Sequence, residues 1–136
     1  MKFKTTIILF ILILSGFFLI PACVPDDDPI EDDPREKFTA AWLCTESTSI
    51  SYTVTISKDP SNSTQILMNN FHHLGVDEDV FALVAGKSLQ IIQQTACQGS
   101  LQISGDAVME TDNRIRFLYY VNDFADIDTI QAVFTK

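Results

Sequence analysis

A chain of 136 residues with nine Lys and Arg against eighteen Asp and Glu, net charge −9, holds one small domain at most. Such acidity argues against double-stranded nucleic acid as a partner, because phosphate binding needs a basic face.

From the N-terminus, Lys2 and Lys4 precede a nearly unbroken apolar run over residues 7–20. That is the charged front and short hydrophobic middle of a secretory signal. A helix over the run would rise roughly 21 Å, short of the roughly 30 Å hydrocarbon core, so a cleaved signal is favoured over a retained anchor. Its exit, Ile20-Pro21-Ala22-Cys23, resembles the lipobox of bacterial lipoproteins, whose cysteine is diacylated and becomes the new N-terminus. The resemblance implies a signal peptide over residues 1–22 and lipidation at Cys23. Two or three acyl chains, at about 0.8 kcal/mol per buried methylene, would make a durable membrane anchor. An ordinary signal cut after Ala22, leaving a free thiol at Cys23, is the alternative.

Residues 23–36 follow as a tether. Asp26, Asp27, Asp28, Glu31, Asp32 and Asp33 alternate with Pro25, Pro29 and Pro34, so charge repulsion and proline favour an extended, solvated spacer. Asp26, Asp27 and Asp28 resemble the surface-export signal of Bacteroidetes lipoproteins, which implies lipid anchoring at the outer membrane and display at the cell surface. The chain from Arg35 onward carries seven bases against twelve acids, so the acidity belongs mainly to the tether.

Residues 37–136 read as an all-β domain. The clearest segment, 50–57, alternates apolar side chains with small hydroxyls, the period of a strand with one buried face. Similar signals recur over 38–44, 65–71, 80–85, 89–94, 101–110, 114–121 and 129–135, about eight strands punctuated by turn residues. Short connections favour antiparallel neighbours. The expected fold is an up-and-down meander closed as a small barrel, with a β-sandwich as the alternative. "AAWLCTES", "SYTVTISK", "NNFHHLG", "LQISGDAVME", "RIRFLYYV" and "IQAVFTK", in that order, resemble the small lipocalin-like lipoproteins of Bacteroidetes. That resemblance implies a fold and a location and carries no activity.

One face of the strands supplies the expected core: Trp42 and Cys44; Tyr52, Val54 and Ile56; Leu101 and Ile103; Ile115, Phe117, Tyr119 and Val121; Ile130, Ala132 and Phe134. If lipidation consumes Cys23, then Cys44 and Cys97 form an even pair in an oxidising compartment, and a disulfide between them is expected. His72 and His73 are adjacent and read as a solvent-facing turn, with no third ligand at zinc spacing, so no metal or cofactor is expected. Asp77, Glu78 and Asp79 read as a solvated charge run. No nucleophile elbow, phosphate loop or spaced carboxylate pair stands out, so the expectation is a non-enzyme. The reading is a lipid-anchored binding module for an unidentified protein, glycan or small ligand. Two alternatives are a carrier of an apolar ligand, in a cavity near Trp42 and Phe117, and a structural envelope component.

Overall fold

In the computed structural model, which describes residues 32–136, the alternating segments close into one antiparallel barrel in which every strand lies beside its sequence neighbours. The strands are β1 (Ala40–Glu46), β2 (Ser51–Lys58), β3 (Gln65–Asn69), β4 (Asp79–Ala85), β5 (Ser88–Ala96), β6 (Leu101–Thr111), β7 (Arg114–Asn122) and β8 (Ile127–Thr135). Closure comes from β8 returning to β1, with Cys44 opposite Phe134. A closed cylinder leaves no unpaired edge strand, which decides for the barrel over the sandwich. The signal peptide, Cys23 and Asp26, Asp27 and Asp28 lie outside the described residues.

Connections alternate between two ends. The floor holds the 3₁₀ turn Glu36–Phe38, residues 59–64, 86–87 and 112–113, and Lys136. The rim holds residues 47–50, 70–78, 97–100 and 123–126. The described chain enters at the floor, where Arg35 ties it to the barrel. Its guanidinium pairs with Asp33 at 2.7 Å and donates through Nη1 to the carbonyls of Asp59, Asn62 and Gln65. Lys58 adds contacts to Asp33 and Glu36. Residues whose composition reads as spacer are thus fastened to the β2–β3 loop.

The period-two pattern fills the interior. Trp42, Phe38, Phe71, Phe117, Tyr119 and Phe134 are all under 2 % exposed, and burying each large apolar side chain contributes about 1.5–3 kcal/mol. Phe38 corks the floor and Phe71, on the 3₁₀ turn Phe71–His73, corks the rim. The Phe71 ring meets Tyr119 at 4.7 Å, Phe117 at 5.7 Å and Phe134 at 6.2 Å between centroids. Trp42 satisfies its buried indole N–H on the Phe38 carbonyl at 2.7 Å. Trp42 and Phe117, expected beside a ligand cavity, have no surface that water can reach. Side chains occupy that space. Leu101, expected in the core, is only half-buried, because it starts β6 beside a rim connection.

Two devices bend the sheet into a cylinder. A register shift in β5 places Ile91 opposite Gly105 and Gln94 opposite Ile103, so one extra residue bulges the strand. Gly105 faces inward at the same corner, where β6 packs directly onto the Tyr119 backbone. Beyond the β4–β5 ladder, the Gln94 side-chain amide takes over the pairing. It accepts from the Phe81 N–H at 3.0 Å and donates to the Phe81 carbonyl at 2.8 Å.

The expected Cys44–Cys97 disulfide is absent, and both thiols are free. Cys44 points inward from β1, whereas Cys97 lies in the β5–β6 connection, between the strands three and four places from β1 around an eight-strand cylinder. A disulfide needs Cα atoms within about 7 Å, and these sit on opposite walls. Thiol titration is expected to show one accessible thiol from Cys97 in the folded domain and a second, from Cys44, only after unfolding. A disulfide-linked peptide in a non-reducing digest would contradict this.

Candidate functional site

The strand period that turns Trp42 and Cys44 inward carries on to Glu46, the last residue of β1. A carboxylate therefore enters the barrel beneath the rim, where it is 6 % exposed. Such a group must be paired or neutralised. The tight connection to β2 brings Tyr52 alongside, and its hydroxyl donates to Glu46 Oε1. From β7, Tyr119 donates to the same oxygen at 2.8 Å. Thr48 donates to Oε2 at 3.2 Å.

The β3–β4 connection folds over this group. His72 Nδ1 lies 3.2 Å from Glu46 Oε1 and 3.0 Å from the Tyr119 hydroxyl. An ionised carboxylate only accepts, and Tyr119 spends its proton on Glu46, so the Nδ1 position carries the hydrogen and shares it between them. His73 stacks on Tyr52 with centroids 5.3 Å apart. His73 is the exposed turn residue expected from the sequence, whereas His72 is half-buried over Glu46, because Phe71 drops into the barrel and pulls the turn down onto its end. Asn70 pins the loop, donating to the Thr53 carbonyl at 2.9 Å and accepting from the Gly75 N–H at 2.9 Å. The charge run is only partly free. Glu78 accepts from the Cys97 N–H, and Asp79 accepts from Asn69.

Electrostatics follow the geometry. Burial pushes the Glu46 carboxyl up, but hydrogen bonds from Tyr52 and Tyr119 and the neighbouring His72 outweigh it, so the group is held below its ordinary value. Burial, reinforced by Cys44 and Glu46 as hydrogen-bond partners, raises the Tyr52 phenol far above its usual range. Burial and the bond to Glu46 raise Tyr119 likewise. Burial pushes the Cys44 thiol up to about 11, so it stays protonated and a poor nucleophile at neutral pH. Both Glu46 oxygens are engaged. The cluster is a polar plug that locks the rim loops to the cylinder. Among the described residues, no group of three His, Cys, Asp or Glu side chains is arranged to hold a metal ion.

Above the plug, the rim differs sharply from the floor. Ser49, Asn70, His72, His73, Cys97, Gln98 and Phe124 have φ between 50° and 68°, the left-handed region that non-glycine residues occupy at a cost. All seven lie in rim connections. The rim also exposes Val76 (74 %), Phe124 (61 %) and Ile50 (50 %), with Ile127 (65 %) at the start of β8. The bases are segregated: Arg35, Lys37, Lys58, Lys87, Arg114, Arg116 and Lys136 are all at or next to the floor, accompanied there by Asp32, Asp33, Glu36, Asp59, Glu110 and Asp112, while the rim carries Asp77, Glu78, Asp79, Asp123, Asp126 and Asp128 without a Lys or Arg. Period-two reasoning could have found Glu46. Asn70, His72 and His73 are of types enriched in the left-handed region, whereas Ser49, Cys97, Gln98 and Phe124 leave no such compositional trace.

Fold and site together define a small, closed, side-chain-filled β-barrel with a strained, apolar and acidic rim. No family model and no curated protein matches the sequence. Among solved structures, a redesigned β-barrel, b11L5F_LGL, is similar with a TM-score of 0.50 and 8 % identity, over 76 % of this chain and 95 % of that one. EF1p2_mFAP2b bound to DFHBI has a TM-score of 0.49 and 11 % identity, over 76 % and 98 %. At these identities the likeness concerns the fold alone.

Proposed function

We propose that the protein is a lipid-anchored cell-envelope binding module that engages its partner through the rim and the wall next to it, not by enclosing a ligand. One observation carries this reading: the seven strained non-glycine residues and the three most exposed large apolar side chains, Val76, Ile127 and Phe124, coincide on the rim. Binding residues concentrate on loops held by a rigid scaffold, and stored backbone strain clusters at such places. A filled interior favours outside recognition over the carrier alternative.

A single cell experiment tests both parts. Photo-cross-linkers replace Phe124, Val76 or, as a floor control, Lys87, each with Cys23 intact or changed to Ser. Intact cells are then irradiated and shaved with protease. Adducts of one defined mass are expected from positions 124 and 76 and not from 87, with the intact lipoprotein membrane-bound and protease-sensitive and the Cys23→Ser form released. Adducts only at position 87 would overturn the rim reading. Unchanged fractionation of Cys23→Ser would overturn the anchor, and full protease resistance on intact cells would overturn surface display.

A further inference from the structure

The outer wall beside the rim carries a second surface of distinct chemistry. Gln93 on β5, Gln102 and Ser104 on β6, Tyr120 and Asn122 on β7, and Thr129 on β8 line a concavity of about 390 Å³, with Ile127 at its edge. Strand register builds it. Ser104 pairs with Tyr120 and Tyr120 with Thr129, while Gln102 pairs with Asn122. These partners point outward together and form two rows across three strands. Tyr120 is 40 % exposed, so part of its ring faces solvent at the centre of the patch. Asn122 uses its Oδ1 to accept from the Phe124 N–H at 2.8 Å, which fixes the amide and leaves its two N–H donors outward.

Three properties select a ligand. The lining side chains carry no formal charge, so a phosphate, carboxylate or ammonium group would meet no counter-charge. They offer three amides and three hydroxyls around one aromatic ring, and an apolar ligand would strip water from these groups without replacing its hydrogen bonds. A sugar ring matches both features. Its hydroxyls pair with planar amides and side-chain hydroxyls that can donate and accept, and its face of C–H bonds is electropositive enough to lie on the negative face of a tyrosine. Two other concavities near the wall each include Asp106, and one also includes Arg116, so they lack this neutrality.

We propose that this concavity binds one or two residues of a neutral glycan, with Tyr120 as the stacking platform and the Gln102 and Asn122 amides reading hydroxyl groups. The inference rests on the binding-module reading and names a ligand class for the wall adjoining its rim.

The test uses the isotopically labelled full lipoprotein in lauryl dimethylamine oxide, a detergent without sugar. It is titrated to millimolar concentration with cellotetraose, maltotetraose, xylotetraose, mannotetraose, laminaritetraose and chitotetraose in turn. At least one is expected to shift, saturably, the backbone amides of Gln102, Ser104, Tyr120, Asn122 and Thr129. Tyr120→Ala should weaken that binding by about tenfold or more, whereas Tyr120→Phe, which keeps the ring, should stay within a few-fold of the native protein. A dispersed native-like spectrum of each variant shows that it is folded. The proposal is overturned if no oligosaccharide moves these amides, if the shifts map to the rim loops, or if Tyr120→Ala binds like the native chain. Cross-linking at positions 124 and 76 is independent of these outcomes, so failure here leaves the rim reading standing.

Discussion

Gly105→Ala is expected to be among the most damaging single-methyl changes in the barrel. A Cβ built on Gly105 would lie 2.5 Å from both Cα and Cβ of Tyr119 and 2.6 Å from the Leu118 carbonyl oxygen. Two of those atoms are backbone, so no rotamer change relieves the overlap. Relief requires β6 and β7 to part at the Gly105–Tyr119 pair, where the β5 bulge has already removed one regular rung on the other side of β6. The cost should reach about 3 kcal/mol, the upper end for overpacked cores. For a domain of this size that lowers Tm by roughly 12–24 °C. Ser104→Ala, one residue away but facing outward, should stay within about 0.5 kcal/mol. Thermal melts of the two variants followed by circular dichroism make the comparison. An alanine at position 105 with the native Tm would show that the close approach to Tyr119 is not what shapes this corner.

The same corner shows what the sequence revealed and what it withheld. Alternation in the β2 and β7 segments was legible because hydroxyls or charges punctuate the apolar positions, and the inward residues of both strands are buried. Barrel closure was not legible as such. It depends on the return of β8 to β1, and a sandwich has the same period. Gly105 in "LQISGDAVME" reads as one small residue in a strand, and only the facing backbone shows why a side chain is forbidden there. Cys44 and Cys97 looked like a pair because they could be counted. Their separation around the cylinder is a property of topology that counting does not contain. His73 is exposed in a turn as its sequence context suggests, but His72 misled for a related reason: its contact with Glu46 depends on Phe71 entering the barrel, and a lone phenylalanine before two histidines gives no sign of its direction.

Glu46 combines these lessons with a measurable consequence. Alternation from Trp42 and Cys44 places it inward, and a strand-period reading that skips charged residues passes over it. Glu46→Ala would leave the buried Tyr52 and Tyr119 hydroxyls without their acceptor, and His72 without the partner that holds the rim loop down. Orphaning a buried polar group costs about 1–3 kcal/mol, so the total loss should be about 3–4 kcal/mol. Glu46→Gln keeps an acceptor of similar shape and removes the charge. It should cost about 1–2 kcal/mol, because hydrogen bonds to ionised groups exceed neutral ones by roughly that amount.

The pH dependence separates charge from packing. The folded carboxyl is held below its ordinary value, so its contribution is fully present above the unfolded value of about 4.3 and is lost as pH falls through the lower folded value. Asp33 and Asp123 are also lowered, by Arg35 and by backbone N–H groups respectively, but both remain in the native and Glu46→Gln proteins and cancel in the difference. Denaturant melts of the pair from pH 6 downward should therefore show a constant gap to about pH 4 that narrows below it, as native Glu46 gains the proton that makes it resemble glutamine. A gap that stays constant down to pH 2 would mean that shape rather than charge secures the plug. A gap that widens on acidification would mean that Glu46 is already protonated in the folded barrel.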